Sequence, residues 1–208
     1  MALAFQVIVR TRYYDDYLRV AVADGCRQVV LLAAGLDTRA FRLSWPDTTK
    51  VFEADLPDLL EVKERVLADI GAQPQCERIV VPVDLREDWL NSLIGAGFDP
   101  TASTAWLVEG LLVYLETDDA RALLETLTNA SAPGSRLAFE HSANTRDVTA
   151  GDTAAVTSLW RGGVGDDIEV WLAAQGWTVT VDNLGDIAAG YGRAPSRPTT
   201  SGFLRATR

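Results

Sequence analysis

Five short apolar runs, none with an alternating polar pattern, constrain this chain more than anything else in it. They are residues 28–34 (QVVLLAA), 50–54 (KVFEA), 78–83 (RIVVPV), 104–108 (TAWLV) and 135–139 (SRLAF). Runs of this length without a period of two suit parallel strands covered on both faces. Helical patterns lie around them. Residues 13–24 read as a helix stopped by Gly25. Residues 57–70 open on Pro57 and carry Leu59, Val62, Val66 and Ile70 on one stripe, which predicts the buried face, with Gly71 after it. Residues 117–130 begin at Thr117, have Asp118 and Asp119 in the first turn, and bury Ala120, Leu123, Leu124, Leu127 and Ala130. A last pattern spans 166–175, before Gly176. Such alternation predicts an α/β fold with a doubly wound, mostly parallel sheet.

The C-terminal part breaks the pattern. Residues 177–182 (WTVTVD) and 203–207 (FLRAT) are strand-like, and Gly190, Gly192, Pro195 and Pro198 between them argue against a crossover helix. An antiparallel C-terminal edge hairpin is expected, giving seven strands. At 208 residues with no visible boundary, one domain over 1–208 is expected, and 142–165, polar and Gly-rich, reads as a lid or loop insertion.

Composition removes several functions. A chain 48% hydrophobic and 23% charged is not disordered. Cys26 and Cys76 are too few for a disulfide scaffold or a four-cysteine zinc site, and no other metal constellation is visible. A net charge of −10 argues against nucleic acid or an anionic membrane as partner. No apolar run approaches the ~20 residues of a membrane span, and no basic leader precedes an apolar stretch, so a cytoplasmic protein is expected. Nothing in the sequence specifies an oligomeric state.

In a doubly wound sheet the ligand lies outside the carboxyl ends of the strands, where the winding reverses. The first strand runs into Ala33-Ala34-Gly35-Leu36-Asp37-Thr38-Arg39. Against a G-x-G-x-x-G dinucleotide fingerprint only the middle glycine, Gly35, survives; Ala33 and Thr38 stand at the other two positions. Asp37 falls where a pyrophosphate would rest and would repel it. A carboxylate there suits a ligand with an ammonium or other cation, such as S-adenosyl-L-methionine; the bland alternative is that Asp37 or Thr38 caps the next helix. Asp55 ends the second strand 20 residues after Gly35, the spacing at which an acid takes both ribose hydroxyls, or else caps the helix at Pro57. Asp84, with Leu85 beside it, ends the third strand and can accept from an adenine amino group. Glu109 ends the fourth, near the reacting end of the ligand. Four consecutive strands thus run into an acid.

These strings resemble a known family. VVLLAAGLDTRAFRL at 29–43, EADLP at 53–57, VDL at 83–85 and EGLLVYL at 109–115 are similar to the leucine carboxyl methyltransferase family, above all to its actinobacterial branch of S-adenosyl-L-methionine-dependent enzymes. RTRYYDDYL at 10–18 and YGR at 191–193 carry the resemblance further, from about residue 8 to the end. It implies a class I methyltransferase, Rossmann-like fold with S-adenosyl-L-methionine as cofactor. It also implies roles: Arg12, in preference to Arg10, on the methionyl carboxylate; Ala34, Gly35 and their neighbours under the methionyl and ribose portion; Asp55 on the ribose with Glu53 nearby; Asp84 and Leu85 on the adenine; Glu109 facing the methionyl ammonium. Members usually carry some tens of residues ahead of the RTR helix, against nine before Arg10 here.

The acceptor is less defined. A carboxylate, ionised at neutral pH, needs no base, whereas a hydroxyl needs one. His141, the only histidine, sits just past the fifth strand and is a permissible base or a plain loop residue. Tyr114, Tyr13 and Tyr14 could orient an acceptor or simply pack, and Trp160, Trp171 and Trp177 fit core or lid contacts. The sequence reading is an O-methyltransferase acting on a small-molecule or carboxyl acceptor. Two rivals stay open: an NAD-type oxidoreductase, and a non-catalytic cofactor- or partner-binding module.

Overall fold

A computed structural model describes residues 2–142, 161–193 and 201–208. The five apolar runs are strands β1 (Gln28–Leu32), β2 (Lys50–Asp55), β3 (Glu77–Pro82), β4 (Thr104–Val108) and β5 (Arg136–Ser142). Alternate residues serve opposite faces. Val29 and Leu31 join one core cluster, Val30 and Leu32 the other, and all five β1 residues are buried. That two-sided burial is why the run shows no polar alternation. β6 (Thr178–Asn183) and β7 (Ser201–Thr207) complete a seven-stranded sheet in the order β3-β2-β1-β4-β5-β7-β6. β1 to β5 are parallel; β7 runs antiparallel to both β5 and β6, the edge hairpin expected from the sequence.

Helices cover both faces. On one lie α1 (Ala2–Ala23), the single turn α2 (Arg39–Arg42), α3 (Pro57–Asp69) and α7 (Leu184–Gly190). On the other lie α4 (Trp89–Gly95), α5 (Thr117–Asn129) and α6 (Ile168–Ala174). α1 extends eleven residues beyond the predicted start at Tyr13, burying Val9, Tyr13, Tyr14, Tyr17, Leu18 and Ala21 at helical spacing. α2 and α4 were not apparent in the sequence, and neither was α7, which stands where Gly190 argued against a helix. α7 begins at Leu184 with the Asn183 side chain accepting from Gly185 N, and finishes at Gly190 itself. Trp177 fills the core, its indole N–H donating to Thr128 Oγ1 at 3.0 Å.

α3 is where the sequence reading is corrected. Leu59, Val62, Val66 and Ile70 are all exposed, and the buried residues are Leu60 and Lys63. The cause is charge. Lys63 Nζ points inward to Glu53 Oε2 at 2.7 Å, and Glu53 is fully buried on β2. That pair turns the helix so that its apolar stripe lies beside the contact face. Most of the expected lid, residues 143–160 with Trp160, lies outside the described residues, as do Pro195 and Pro198. Residues 161 and 163 hold the turn at Leu112–Tyr114, Arg161 N donating to Val113 O and Gly163 N to Leu115 O. No helix among the described residues is long and apolar enough to cross a membrane.

Candidate functional site

The winding reverses between β1 and β4, both of which start neighbouring runs of parallel pairing. In register, Leu32 lies beside Ala54 on one side and Val108 on the other, so the segments that follow meet at one end of the sheet. The β1 turn is sharply bent there. Ala33 (φ 55°) and Gly35 (φ 48°) both lie in the left-handed region, and Ala33 is the only non-glycine residue described with positive φ. A left-handed alanine is a strained residue, of the kind that collects at ligand sites. Asp55 holds the bend: its Oδ2 accepts from Gly35 N at 2.6 Å and its Oδ1 from Leu56 N at 2.7 Å.

Two cavities flank this turn, and Ala33 lines both. The first, about 340 Å³, is bounded by Arg10, Ala34, Leu36, Asp37, Arg39 and Glu109 among others. The second, about 560 Å³ and largely apolar, takes Asp55, Asp84, Leu85, Trp89, Leu111 and Leu115. Three of the predicted acids thus reach the cavities from the ends of their own strands, and Asp37 from the turn after β1. Asp84 is gripped by Arg86, which holds its carboxyl down at about 2.

The first cavity carries a dense charge network. Arg39, 3% exposed, sends Nε to Asp15 Oδ1 at 2.8 Å and Nη1 to Glu109 Oε2 at 2.8 Å, and also bonds Asp37. Arg10 Nε lies 2.7 Å from Glu109 Oε1, and its Nη1 3.0 Å from Glu140 Oε1. Arg42 reaches Asp15 Oδ2 at 2.5 Å. Burial disfavours the Arg39 charge, but Asp37 and Glu109 outweigh it and raise its pKa. Burial likewise raises Asp15, and the Arg42 and Arg39 hydrogen bonds overcome it, leaving its pKa lowered. Gly110 (φ 68°) donates its N–H to both Glu140 oxygens, at 3.0 and 2.9 Å. Across the network four carboxylates meet three guanidiniums; Asp37, Glu109 and the three arginines line the cavity, and Asp15 and Glu140 stand behind them.

Two predicted residues lie elsewhere. Arg12 is solvent-facing, its guanidinium 4.2 Å from the Tyr191 ring centre, and Arg10, two positions earlier and so on the opposite side of the helix, lines the cavity instead. Glu53 lines neither cavity; it pairs with Lys63 and, at 2.6 Å, with Arg78. Asp37 is not the uncompensated carboxylate that the sequence suggested, because Arg39 neutralises it. Arg39 and Arg10 are the residues the sequence reading passed over as pairing partners; an arginine two positions after Asp37 was the available signal. Tyr13 and Tyr14 are core residues, and Tyr13 donates to Asp182 at 2.6 Å. His141 is buried, 4.0 Å from Glu169, and lines neither cavity. Among the described residues no group of three or more His, Cys, Asp or Glu could hold a metal.

The sequence profile of leucine carboxyl methyltransferase matches residues 1–128, well over half of the chain. The chain belongs to the leucine carboxyl methyltransferase family. A Frankia alni relative, named as a candidate S-adenosyl-L-methionine-dependent methyltransferase, is 47% identical over 206 residues, 97% of this chain and 74% of its own length. A Mycolicibacterium smegmatis protein of the same designation is 45% identical over 90% of this chain and 67% of its own. Among solved structures, magnesium protoporphyrin IX methyltransferase from Synechocystis with bound SAH superposes with a TM-score of 0.60 at 15% identity, covering 98% of this chain and 82% of that one. That likeness concerns the fold: the chain has a class I methyltransferase architecture.

Proposed function

We propose that this protein is an S-adenosyl-L-methionine-dependent O-methyltransferase that esterifies the carboxylate of a small acceptor. Dependence on that cofactor follows from the family; the acceptor is the finer part of the reading. The observation that supports both is the pair of cavities that share Ala33 in their linings, each bounded by acids at or just beyond strand ends.

The donor set fits the cofactor. The larger, apolar cavity offers Leu85 and Leu111 to a base, Asp84 to an exocyclic amino group and Asp55 to ribose hydroxyls. The smaller one offers Asp37 and Glu109 to an ammonium and Arg10 to a carboxylate. When bound, the cofactor supplies an activated methyl group on sulfur. Transfer of that methyl group to an acceptor oxygen would leave a neutral thioether. No acid is needed for its departure, so the residues contribute alignment; well-oriented reactants reach effective molarities of roughly 10⁵–10⁸ M.

The placement of His141 supports a carboxylate acceptor. The one histidine is packed away from both cavities, and a carboxylate with a pKa near ~4 needs no base. The net charge of −10 further supports a small molecule over a nucleic acid. The test uses cofactor labelled in the methyl group and an extract of small metabolites. A carboxyl ester releases labelled methanol on mild alkali; label that stays in the product after alkali contradicts the carboxylate reading.

A further inference from the structure

We infer that Arg39 is a positioning residue for the amino-acid end of the ligand: it ties Asp15 of α1 to Asp37 of the β1 turn and to Glu109, the residue after β4, and so fixes where those two carboxylates point. The inference rests on the S-adenosyl-L-methionine reading above.

Three facts carry it. The guanidinium is almost fully enclosed, at 3% exposure, and its donors go to three carboxylates from three separate elements. Its backbone is pinned as well: Arg39 N donates to Asp37 Oδ1 at 2.6 Å, and Trp45 Nε1 donates to Arg39 O at 3.0 Å. Glu109 is held from both sides, Oε2 by Arg39 and Oε1 by Arg10. Two carboxylates this close to one cavity repel one another and would splay apart without a shared cation. Arg39 keeps them convergent and leaves their outward lone pairs for an ammonium. A planar fork presents its donors to these acceptors in fixed directions; a lysine ammonium is a compact point charge on a flexible stem and does not fix them. The same residue links the seat of α1 to the cavity, so a disturbance at Asp15 reaches the ligand without touching it.

Two ligands separate this role from a plain structural one. S-adenosyl-L-methionine carries the amino-acid end; methylthioadenosine has the adenosine and the thioether without it. Arg39→Lys is expected to weaken the first about tenfold or more in calorimetry and to leave the second within about twofold. In a Glu109→Gln background the same change should cost less than about threefold, because its effect acts through Glu109. Asp15→Asn, which keeps Arg39 and removes one anchor, is the second variant, expected to weaken the full cofactor about threefold with methylthioadenosine unchanged. Equal weakening of both ligands, or of neither, in these variants overturns the inference, as does an additive Arg39–Glu109 cycle. If the unaltered chain binds neither ligand, the cofactor reading itself is overturned.

Discussion

Asp55 and Glu53 stand two residues apart on β2, and the pleat gives both the same side of the strand, yet they have different work. Asp55 is at the strand end, where its two oxygens take the Gly35 and Leu56 N–H groups and its outer edge reaches the larger cavity. Glu53 is two residues deeper, fully buried, and holds Lys63 and Arg78. Substitution should separate them. Glu53→Gln leaves the buried Lys63 without its counterion, while Arg78 keeps Glu64 at 2.6 Å, and is expected to cost about 3–5 kcal/mol of stability while cofactor affinity stays within about twofold. Asp55→Asn puts an amide donor against a backbone N–H, costing about 1–3 kcal/mol, and should weaken cofactor binding about tenfold, or ~1.4 kcal/mol. Denaturant unfolding and calorimetry on the two variants check this; a larger affinity loss at Glu53 than at Asp55 contradicts it. Spacing put Asp55 at a strand end, where it lines the larger cavity; Glu53, placed near the ribose only by the family resemblance, lines neither cavity. The sequence contains both acids but not the depth at which Lys63 and Arg78 meet one of them. Arg10 and Arg12 illustrate the same limit, since two arginines two positions apart on a helix face opposite ways, and only the packing of α1 decides which one sees the cavity.

At the scale of elements, β1, β2 and β4 were legible because burial on both faces leaves a mark no polar helix imitates, whereas the edge strands β3 and β6, largely half-buried or exposed, were legible from their apolar and β-branched residues. All seven appear where the apolar runs and the C-terminal pair indicated. Helices were legible where an apolar stripe drives docking, as in α5, whose buried Ala120, Leu123, Leu124 and Leu127 are those expected. They were illegible where something else sets the contact. α2 is one turn held by Arg39 and Trp45, and α4 is a short helix capped by Asp88, whose side chain accepts from Asn91 N. α3 carries a stripe but is rotated by the Lys63–Glu53 pair, a force that hydrophobic periodicity does not register. Its two faces should respond in opposite ways to substitution. Leu60→Ala, in the contact face, is expected to cost about 2–5 kcal/mol. Val66→Lys, on the apolar stripe, should stay within about 0.5 kcal/mol. Thermal unfolding measures both; a severe loss at Val66 would mean that the stripe is covered in solution.

Across the whole molecule, sheet topology gathers the chemistry. Asp37, Asp55, Asp84 and Glu109 are spread over 73 residues of chain and come together because β1 to β4 are parallel and their register ends them at one edge. Arg39 compensates Asp37, so no single carboxylate repels a diphosphate; the excess lies in the two cavities taken together, which Asp37, Glu109, Asp55, Asp84, Glu87 and Asp119 line against Arg10, Arg39, Arg42 and Arg86, within a chain of net charge −10. Such a groove favours a nucleoside bearing a cation over one bearing a pyrophosphate. Calorimetry of the intact chain against S-adenosyl-L-methionine and, separately, NAD puts this to its most direct test: saturable one-site binding of the former with only dilution heat from the latter is predicted, and NAD binding without a response to S-adenosyl-L-methionine would contradict it.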